Sequence, residues 1–332
     1  MTRIAHDTLA RLERWHFARA AKHGTIDGLI ERSLRNAARH WARAEMPLAI
    51  PILQALLVHR QRFWTKAGTA ESRGVWDGCR VRLDLSDFYQ RWAYFLGRYH
   101  EETTLRAMRR LLRPGDCFID GGANVGLVTL MAARLVGSGG SVHAFEPHPD
   151  LSARVRWHVE ANGLGHVVVH EAALSDAPGA ATLASPDPWN TGAGTCATVP
   201  DRYGSAPRPR HAVACVTGDA VLADLPARTP LAIKLDVEGF ELRALRGLDS
   251  AVRDRRPLVI TEVNEEMLRA AGASAEGLVA HMTERGYTGY DMRPARRGMR
   301  WTGIELVPVR QDRPLPHDIA WVHPQSEFAR RL

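Results

Sequence analysis

The chain has no long apolar run. None of its 332 residues fall in a stretch approaching the ~18 apolar residues of a membrane-spanning helix. The longest nearly apolar segment, residues 46–58, is interrupted by Pro47 and Pro51, so we expect a buried or interfacial helix there. Arginine and histidine are scattered through the first residues, where a signal peptide would need an uninterrupted apolar core. We therefore expect a protein that is neither secreted nor membrane-spanning.

Cysteine is also scarce, with four residues in the chain. No two of them have the Cys-x-x-Cys or Cys/His spacing of a structural zinc site, and no disulfide framework is indicated. A reducing environment fits this composition best, so we expect a cytoplasmic location. The four residues are Cys79, Cys117, Cys196 and Cys215.

Acidic residues are under-represented only near the N-terminus. Residues 1–75 hold 13 Lys and Arg against 6 Asp and Glu, whereas residues 76–332 hold 31 of each. Apolar residues recur at helical spacing within residues 9–16 and 30–41, which predicts amphipathic helices. We interpret residues 1–75 as a basic helical extension that packs on the following domain or joins a homo-oligomer. Peripheral membrane contact and nucleic-acid binding remain alternatives, although there is no strong nucleic-acid signal.

From residue 76 onward, strand patterns alternate with helix patterns. This alternation is typical of a mainly parallel, doubly wound α/β sheet, and we predict one such domain over residues 76–332. Residues 184–211, rich in Pro, Gly, Ser and Thr, form an insertion of the kind that serves as a lid or a binding loop or is disordered. Further strands are predicted at 141–145, 167–171, 231–236, 258–263, 287–290, 304–309 and 319–322, and helices at 149–162, 239–248 and 275–285.

The most informative stretch is a glycine-rich loop at residues 116–126. An apolar strand ends at Asp120, the chain turns through Gly121, Gly122 and Gly126, and an apolar helix pattern follows. Glycines allow a positive φ and a close approach of the backbone to a ligand, and a helix N-terminus lies behind them. The sequence therefore predicts a nucleotide-cofactor loop.

Two acidic residues indicate which cofactor this loop holds. Asp120 lies where the pyrophosphate of a dinucleotide would have to approach, and Ala123 replaces the middle glycine of the dinucleotide pattern. S-adenosylmethionine, with an ammonium and a sulfonium group, suits a carboxylate better. Glu146 follows the next predicted strand, where an acid can accept hydrogen bonds from both ribose hydroxyls.

A second acidic cluster follows a predicted central strand at residues 231–236. Asp236 and Glu238 lie at the end of this strand, and Glu262 ends the next one. Ligands of open parallel sheets bind beyond the carboxyl ends of the strands, so these acids should face one crevice. Lys234 should form an ion pair with one of them. Glu241 either joins the cluster or faces solvent on the first turn of the next helix.

Together these blocks resemble the FkbM family of S-adenosylmethionine-dependent methyltransferases. The resemblance extends from about residue 81 to residue 262. It implies a class I methyltransferase fold with a seven-stranded sheet whose last strand is antiparallel, and O-methylation of a hydroxyl on a sugar, polyketide or similar metabolite. The motifs that carry it are Ile-Asp-Gly-Gly-Ala-Asn-Val-Gly at 119–126, Ala-Phe-Glu-Pro at 144–147, Ala-Ala-Leu-Ser-Asp at 172–176, Lys-Leu-Asp-Val-Glu-Gly-Phe-Glu at 234–241 and Pro-Leu-Val-Ile-Thr-Glu at 257–262.

The residue roles follow from these matches. We expect one of Asp236, Glu238 and Glu262 to remove the proton of the acceptor hydroxyl. Alternatively, Asp236 and Glu262 hold a divalent cation, with Mg²⁺ favoured over zinc by oxygen ligands. In the insertion, Trp189, Asn190 and Thr191 are predicted to close over the acceptor. The predicted cofactor-binding residues are Asp120, Gly121, Gly122, Asn124, Gly126, Glu146, Pro147 and Ala173.

Two other functions compete with this interpretation. A nicotinamide-dependent oxidoreductase would share the strand, loop and Glu146, but Ala123 and Asp120 disfavour it. A methyltransferase-like scaffold without activity, whose basic extension binds nucleic acid or a membrane, remains open because fold alone does not determine function.

Overall fold

The computed structural model describes residues 64, 68–76, 78–97, 99–185, 190–192, 194–196, 209–297, 300–310 and 312–332. Contacts divide the chain into two compact units, and the one that comprises Gln61–Tyr94 and Arg98–Leu332 contains the sheets described below. The helices predicted within residues 9–16, 30–41 and 46–58 lie outside the described residues. No described helix is long and apolar enough to cross a membrane.

A β-hairpin opens the described chain. Its strands β1, Thr69–Trp76, and β2, Cys79–Asp84, pair antiparallel. In β2 the alternate residues Cys79, Val81 and Leu83 are buried, as expected for a strand with one face on the core. Strand β1 lies within the segment that we predicted to be the helical extension. Two helices follow, α1 at Phe88–Leu96 and α2 at Glu102–Leu111.

The remaining strands alternate with helices, as predicted. Helices α3 to α9 occupy Leu127–Val136, Pro149–Ala161, Gly218–Val221, Glu241–Arg246, Asp249–Arg255, Glu265–Ala270 and Ala275–Thr283, and a short 3-10 helix follows at Phe328–Arg330. Strands β3 to β13 occupy Cys117–Gly121, Ser141–Phe145, Val167–His170, Ala172–Leu174, Gly179–Ala184, Arg210–Val216, Leu231–Leu235, Leu258–Glu262, Thr288–Arg297, Arg300–Pro308 and Asp318–Val322.

The central sheet has the strand order β12-β11-β13-β10-β9-β3-β4-β5. Strands β5, β4, β3, β9 and β10 run parallel, and β13 is inserted antiparallel beside β10. This confirms the class I methyltransferase fold with its antiparallel last strand. The sheet has one strand more than the seven that the resemblance implies, because β12 pairs with β11. A separate three-stranded sheet, β6-β8-β7, was not predicted.

Burial explains why the central strands were recognisable from sequence. Every residue of β3, β9 and β10 is buried, which is typical of parallel strands covered on both faces. Trp321 on β13 is buried against this core and donates its indole N–H to Thr261 Oγ1 at 2.9 Å. The strands therefore hold their carboxyl ends in fixed positions along one edge of the sheet.

Candidate functional site

A cavity of about 340 Å³ lies beyond the carboxyl ends of the parallel strands. Its wall includes residues that directly follow β3, β4 and β9, together with Glu262 at the end of β10. Ligand sites in open α/β sheets occupy this position, and the volume lies within the usual range of small-molecule pockets. Glu146 and the second acidic cluster therefore meet at one site.

The glycine loop after β3 packs against the loop after β9. Gly122 has a φ of 77°, and a Cβ at this position would lie 1.9 Å from the carbonyl oxygen of Asp236. Asn124 has a positive φ of 52° although it is not a glycine, and it lines the cavity. Strained backbone of this kind is often found at ligand sites. Gly126, with a φ of 80°, is the N-cap of helix α3.

Three predicted cofactor residues lie behind the cavity wall. Asp120 is fully buried and accepts a hydrogen bond from Thr129 Oγ1 at 2.6 Å, while its Oδ1 atom has no partner. Burial raises the pKa of Asp120. Asp120, Gly121 and Gly126 are not among the wall residues, whereas Gly122, Asn124, Glu146, Pro147 and Ala173 are.

Glu146 joins the loop after β4, in which it lies, to the glycine loop after β3. Its Oε2 atom accepts from the backbone N–H of Asn124 at 2.7 Å, and its Oε1 atom accepts from the N–H of His148 at 2.9 Å. Burial raises the pKa of Glu146 to about 7, and the two backbone donors offset only part of this shift. The carboxyl is therefore rigidly held at the cavity wall and titrates near neutral pH.

The opposite wall contains a buried cation with two carboxylates. Lys234 Nζ lies 3.1 Å from Asp236 Oδ2 and 3.2 Å from Glu101 Oε2, and the lysine side chain is only 5% exposed. The predicted ion pair of Lys234 is confirmed. Burial tends to raise the pKa of Asp236, but Lys234 outweighs this effect and holds it below its usual value. Burial raises the pKa of Glu101 despite Lys234.

A second group of charged side chains, which comprises Glu262, His317 and Asp318, lies beside Lys234 and its two carboxylates. Glu262 Oε1 is 3.1 Å from His317 Nε2, and His317 Nδ1 is 3.3 Å from Asp318 Oδ1. The two carboxylates raise the pKa of His317 to about 10, so the ring is protonated at neutral pH. Burial raises the pKa of Glu262, and His317 opposes this shift. The Oε2 atom of Glu262 is buried without a hydrogen-bond partner.

The remaining two acids are Glu238, in the loop after β9, and Glu241, the first residue of α6. Glu238 lines the cavity with a positive φ of 50°, and its carbonyl oxygen accepts from Thr195 Oγ1 at 2.7 Å. Glu241 is 1% exposed, so the solvent-facing alternative is wrong. Its Oε1 atom accepts from the N–H groups of Val237 and Gly239 at 3.0 and 3.2 Å. Glu241 therefore stabilises the backbone of the loop after β9 through these two hydrogen bonds.

Part of the insertion reaches the cofactor loop. Asn190 and Thr191 line the cavity, and Trp189 lies outside the described residues. Thr191 donates its backbone N–H to Asp87 Oδ2 at 2.7 Å, and its hydroxyl donates to Asn124 Oδ1 at 3.1 Å. The insertion is thus fastened to both the glycine loop and the segment before α1.

The acidic side chains of the described residues are not arranged to bind a metal ion. Across the described ranges, no three His, Cys, Asp or Glu side chains are grouped to hold one. Asp236 is bound by Lys234, and Glu262 is bound by His317. A divalent cation would have to displace or repel these positive groups. The predicted Mg²⁺ site at Asp236 and Glu262 therefore finds no support.

Sequence patterns did not identify Glu101, His317 or Asp318 as site residues. Glu101 lies directly before α2, and the other two lie at the start of the last strand, without a local motif around them. The register of β10 and β13 pairs Glu262 with Asp318. Knowledge of that antiparallel pairing would have located His317 and Asp318, whereas Glu101 reaches the cavity through the packing of α2.

The chain matches known proteins over a region that includes Glu146, Lys234, Asp236 and Glu262 but not Glu101 or His317. The family model described as "Methyltransferase FkbM domain" matches residues 120–288. The chain is 33% identical over 205 residues to the 31-O-demethyl-FK506 methyltransferase FkbM of Streptomyces tacrolimicus. This alignment covers 53% of the chain and 74% of the relative.

Solved structures resemble the chain more distantly. The methyltransferase FkbM from Methylobacillus flagellatus KT gives a TM-score of 0.36 at 15% identity and covers 70% of this chain and 55% of that one. The precorrin-6y C5,15-methyltransferase from Geobacter metallireducens GS-15 gives a TM-score of 0.36 at 14% identity. This match covers 68% of this chain and 87% of that one.

Proposed function

Because the chain belongs to the FkbM methyltransferase family, we propose that it transfers a methyl group from S-adenosylmethionine to a hydroxyl of a small molecule or sugar. The observation that carries this proposal is the division of one cavity into two walls. One wall holds Glu146 between backbone donors, and the other holds Lys234, Asp236 and Glu262. The first suits a nucleoside and the second suits proton removal.

The cofactor wall fits S-adenosylmethionine. Glu146 has acceptor capacity beyond its two backbone bonds, which suits ribose hydroxyls. Gly122, Asn124, Pro147 and Ala173 line the same region and would contact the nucleoside. When bound, S-adenosylmethionine supplies an electrophilic methyl group on a positively charged sulfur.

The charges at the site favour a cationic cofactor over a dinucleotide. The cavity wall includes Asp236, whose pKa Lys234 holds below its usual value, together with Glu238 and Glu262. A pyrophosphate would be repelled by this group, whereas an ammonium and a sulfonium would be attracted. This supports S-adenosylmethionine over NAD.

The acceptor wall favours an uncharged hydroxyl compound. Carboxylates outnumber the cations Lys234 and His317 there, so a carboxylated or phosphorylated acceptor would be disfavoured. The Streptomyces relative is named for transfer to an oxygen of demethyl-FK506, which also supports O-methyl transfer. Asp236, Glu238 and Glu262 are the carboxylates from which a base for the hydroxyl would come.

Transfer needs only alignment and proton removal. Bound S-adenosylmethionine would supply the methyl group, and Asp236, Glu238 or Glu262 would accept the proton that the acceptor hydroxyl loses. The rigid strand ends fix both walls, which lowers the entropic cost of this alignment. Thr191, bonded to Asn124, would hold the acceptor side against the cofactor loop.

An acceptor screen tests the proposed chemistry. The full-length protein would be incubated with methyl-labelled S-adenosylmethionine and pairs of compounds that differ only in carrying a hydroxyl or an amine. We expect label in the hydroxyl compounds as methyl ethers, with an equal yield of S-adenosylhomocysteine. Label on nitrogen or carbon alone would contradict O-methyl transfer. Cofactor binding without transfer to any acceptor would favour the scaffold alternative.

Glu146 should make cofactor binding depend on pH. Ribose hydroxyls donate to its ionised form, so the affinity for S-adenosylmethionine should fall by up to about fivefold over the first pH unit below 7. The folded pKa lies above the ordinary 4.5, so the unliganded protein should also lose stability as the pH rises from 4.5 towards 7. Calorimetric titration at several pH values measures the first effect.

Two variants separate this effect from other titrations. Glu146→Gln should bind about tenfold to a hundredfold more weakly at neutral pH and lose the acid-side dependence. Glu160→Gln, an exposed acid on α4, should behave like the parent protein. An unchanged pH dependence in Glu146→Gln would show that another group is responsible.

A further inference from the structure

We propose that Glu262 takes the proton from the acceptor hydroxyl and that His317, held between Glu262 and Asp318, positions it. This inference rests on the proposed methyl transfer to oxygen. It selects one acid from the three that sequence patterns left open and adds His317, which they did not identify.

The geometry of Glu262 is that of an oriented base with one free oxygen. Its Oε1 atom is 3.1 Å from His317 Nε2. Its Oε2 atom is buried and has no hydrogen-bond partner, although the side chain lines the cavity and is only 10% exposed. A buried acceptor without a donor is costly unless a ligand supplies one. An acceptor hydroxyl in the cavity would supply that donor.

Asp236 is less suited to the same role. Its Oδ2 atom is already bonded to Lys234 at 3.1 Å, and this cation holds the pKa of Asp236 below its usual value. A carboxylate stabilised in its ionised form is a weak proton acceptor. Burial raises the pKa of Glu262, which makes it the stronger base of the two.

His317 is held in place both by a backbone hydrogen bond and by contacts of its imidazole ring. The carbonyl oxygen of His317 accepts from the N–H of Val263 at 2.7 Å, so the residue is tied to the chain directly after Glu262. Its ring nitrogens face Glu262 on one side and Asp318 on the other. The side chain is 70% exposed, so it links the buried carboxyl to solvent.

The acceptor, the methyl donor and Glu262 account for every bond and proton of the methyl transfer. The acceptor oxygen forms a bond to the methyl carbon, the carbon–sulfur electron pair goes to sulfur, and the hydroxyl proton goes to Glu262 Oε2. His317 keeps its own protons and its bond to Oε1 throughout. After the methyl ether leaves, Glu262 releases the proton to solvent.

Steady-state kinetics of Glu262→Gln test the catalytic role. We expect kcat for methyl transfer to fall by about 10²–10⁴-fold, with the dissociation constant for S-adenosylmethionine unchanged. Glu262→Asp, which keeps the carboxyl one methylene shorter, should retain intermediate turnover. Glu160→Gln, far from the wall, should keep the parent kcat. Circular dichroism and thermal melting check that each variant is folded.

Two substitutions of His317 test its positioning role. His317→Ala should lower kcat about tenfold without changing cofactor affinity, because Glu262 loses the donor that orients it. His317→Gln offers an N–H at a similar distance and should restore part of the loss. Equal kcat in the Ala and Gln variants would overturn the positioning role.

The possible failures are distinguishable. A parent enzyme that methylates a hydroxyl while Glu262→Gln keeps full kcat overturns this inference and leaves the proposed function standing. In that case a large loss in Glu238→Gln would identify the base instead. A folded parent protein that methylates no hydroxyl overturns both.

Discussion

The Lys234→Met substitution should lower the free energy of unfolding by about 3–5 kcal/mol, because it leaves two carboxyls without their buried cation. Lys234 is 5% exposed and lies 3.1 Å from Asp236 and 3.2 Å from Glu101. Methionine has nearly the same length but no charge, so packing is largely kept. The loss should be greatest at alkaline pH and smaller in acid, where protonated carboxyls no longer repel each other. Urea denaturation at both pH values measures it.

An exposed ion pair provides the control. Arg253 is 60% exposed and lies 3.0 Å from Asp249, so Arg253→Met should cost less than about 1 kcal/mol. Adding Glu101→Gln to Lys234→Met should recover part of the stability, because one of the two uncompensated charges is gone. If Lys234→Met costs no more than Arg253→Met, the buried triad does not stabilise the site.

The Gly122→Ala substitution should lower kcat/KM for methyl transfer by about a hundredfold and destabilise the fold by about 3 kcal/mol. The new Cβ would lie 1.9 Å from the carbonyl oxygen of Asp236 and 2.9 Å from its carbonyl carbon. Both are backbone atoms, so the loop after β9 must move away from the cofactor loop. That movement would separate the two walls of the cavity. Single-turnover kinetics and thermal melting measure the two effects.

Gly163→Ala is the matched control for this variant. Gly163 also has a positive φ, 63°, but nothing lies within 4 Å of its Cβ position. It should lose only about 1 kcal/mol from the left-handed backbone and keep full activity. Similar losses in both variants would mean that the contact between the two loops does not matter.

Much of the sheet was predictable because its strands are continuous apolar runs. Strand β4 and helix α4 begin at the predicted residues, and β9 and β10 end within one residue of the predicted ends. Their carboxyl ends then located Glu146, Asp236 and Glu262 at one edge. The hairpin β1-β2 and the sheet β6-β8-β7 were missed because short strands with exposed residues resemble loops.

The site was harder to predict where it depends on distant segments. Glu101 and His317 reach the cavity through packing of α2 and the antiparallel β13, which local patterns do not encode. Asp120 has the opposite outcome: its motif predicted a ligand contact, yet the side chain turns to Thr129 and lies behind the wall. A strand-tip acid is buried or exposed according to the next helix, which supplies Thr129 here.

Calorimetric titration of the full chain with S-adenosylmethionine tests the central claim most directly, with NADH as the comparison ligand. The cavity between Glu146 and the acidic wall predicts saturable binding of S-adenosylmethionine at one site per chain and no binding of NADH. Glu146→Gln should weaken that binding. Binding of NADH alone, or of neither ligand by a folded protein, would contradict the account.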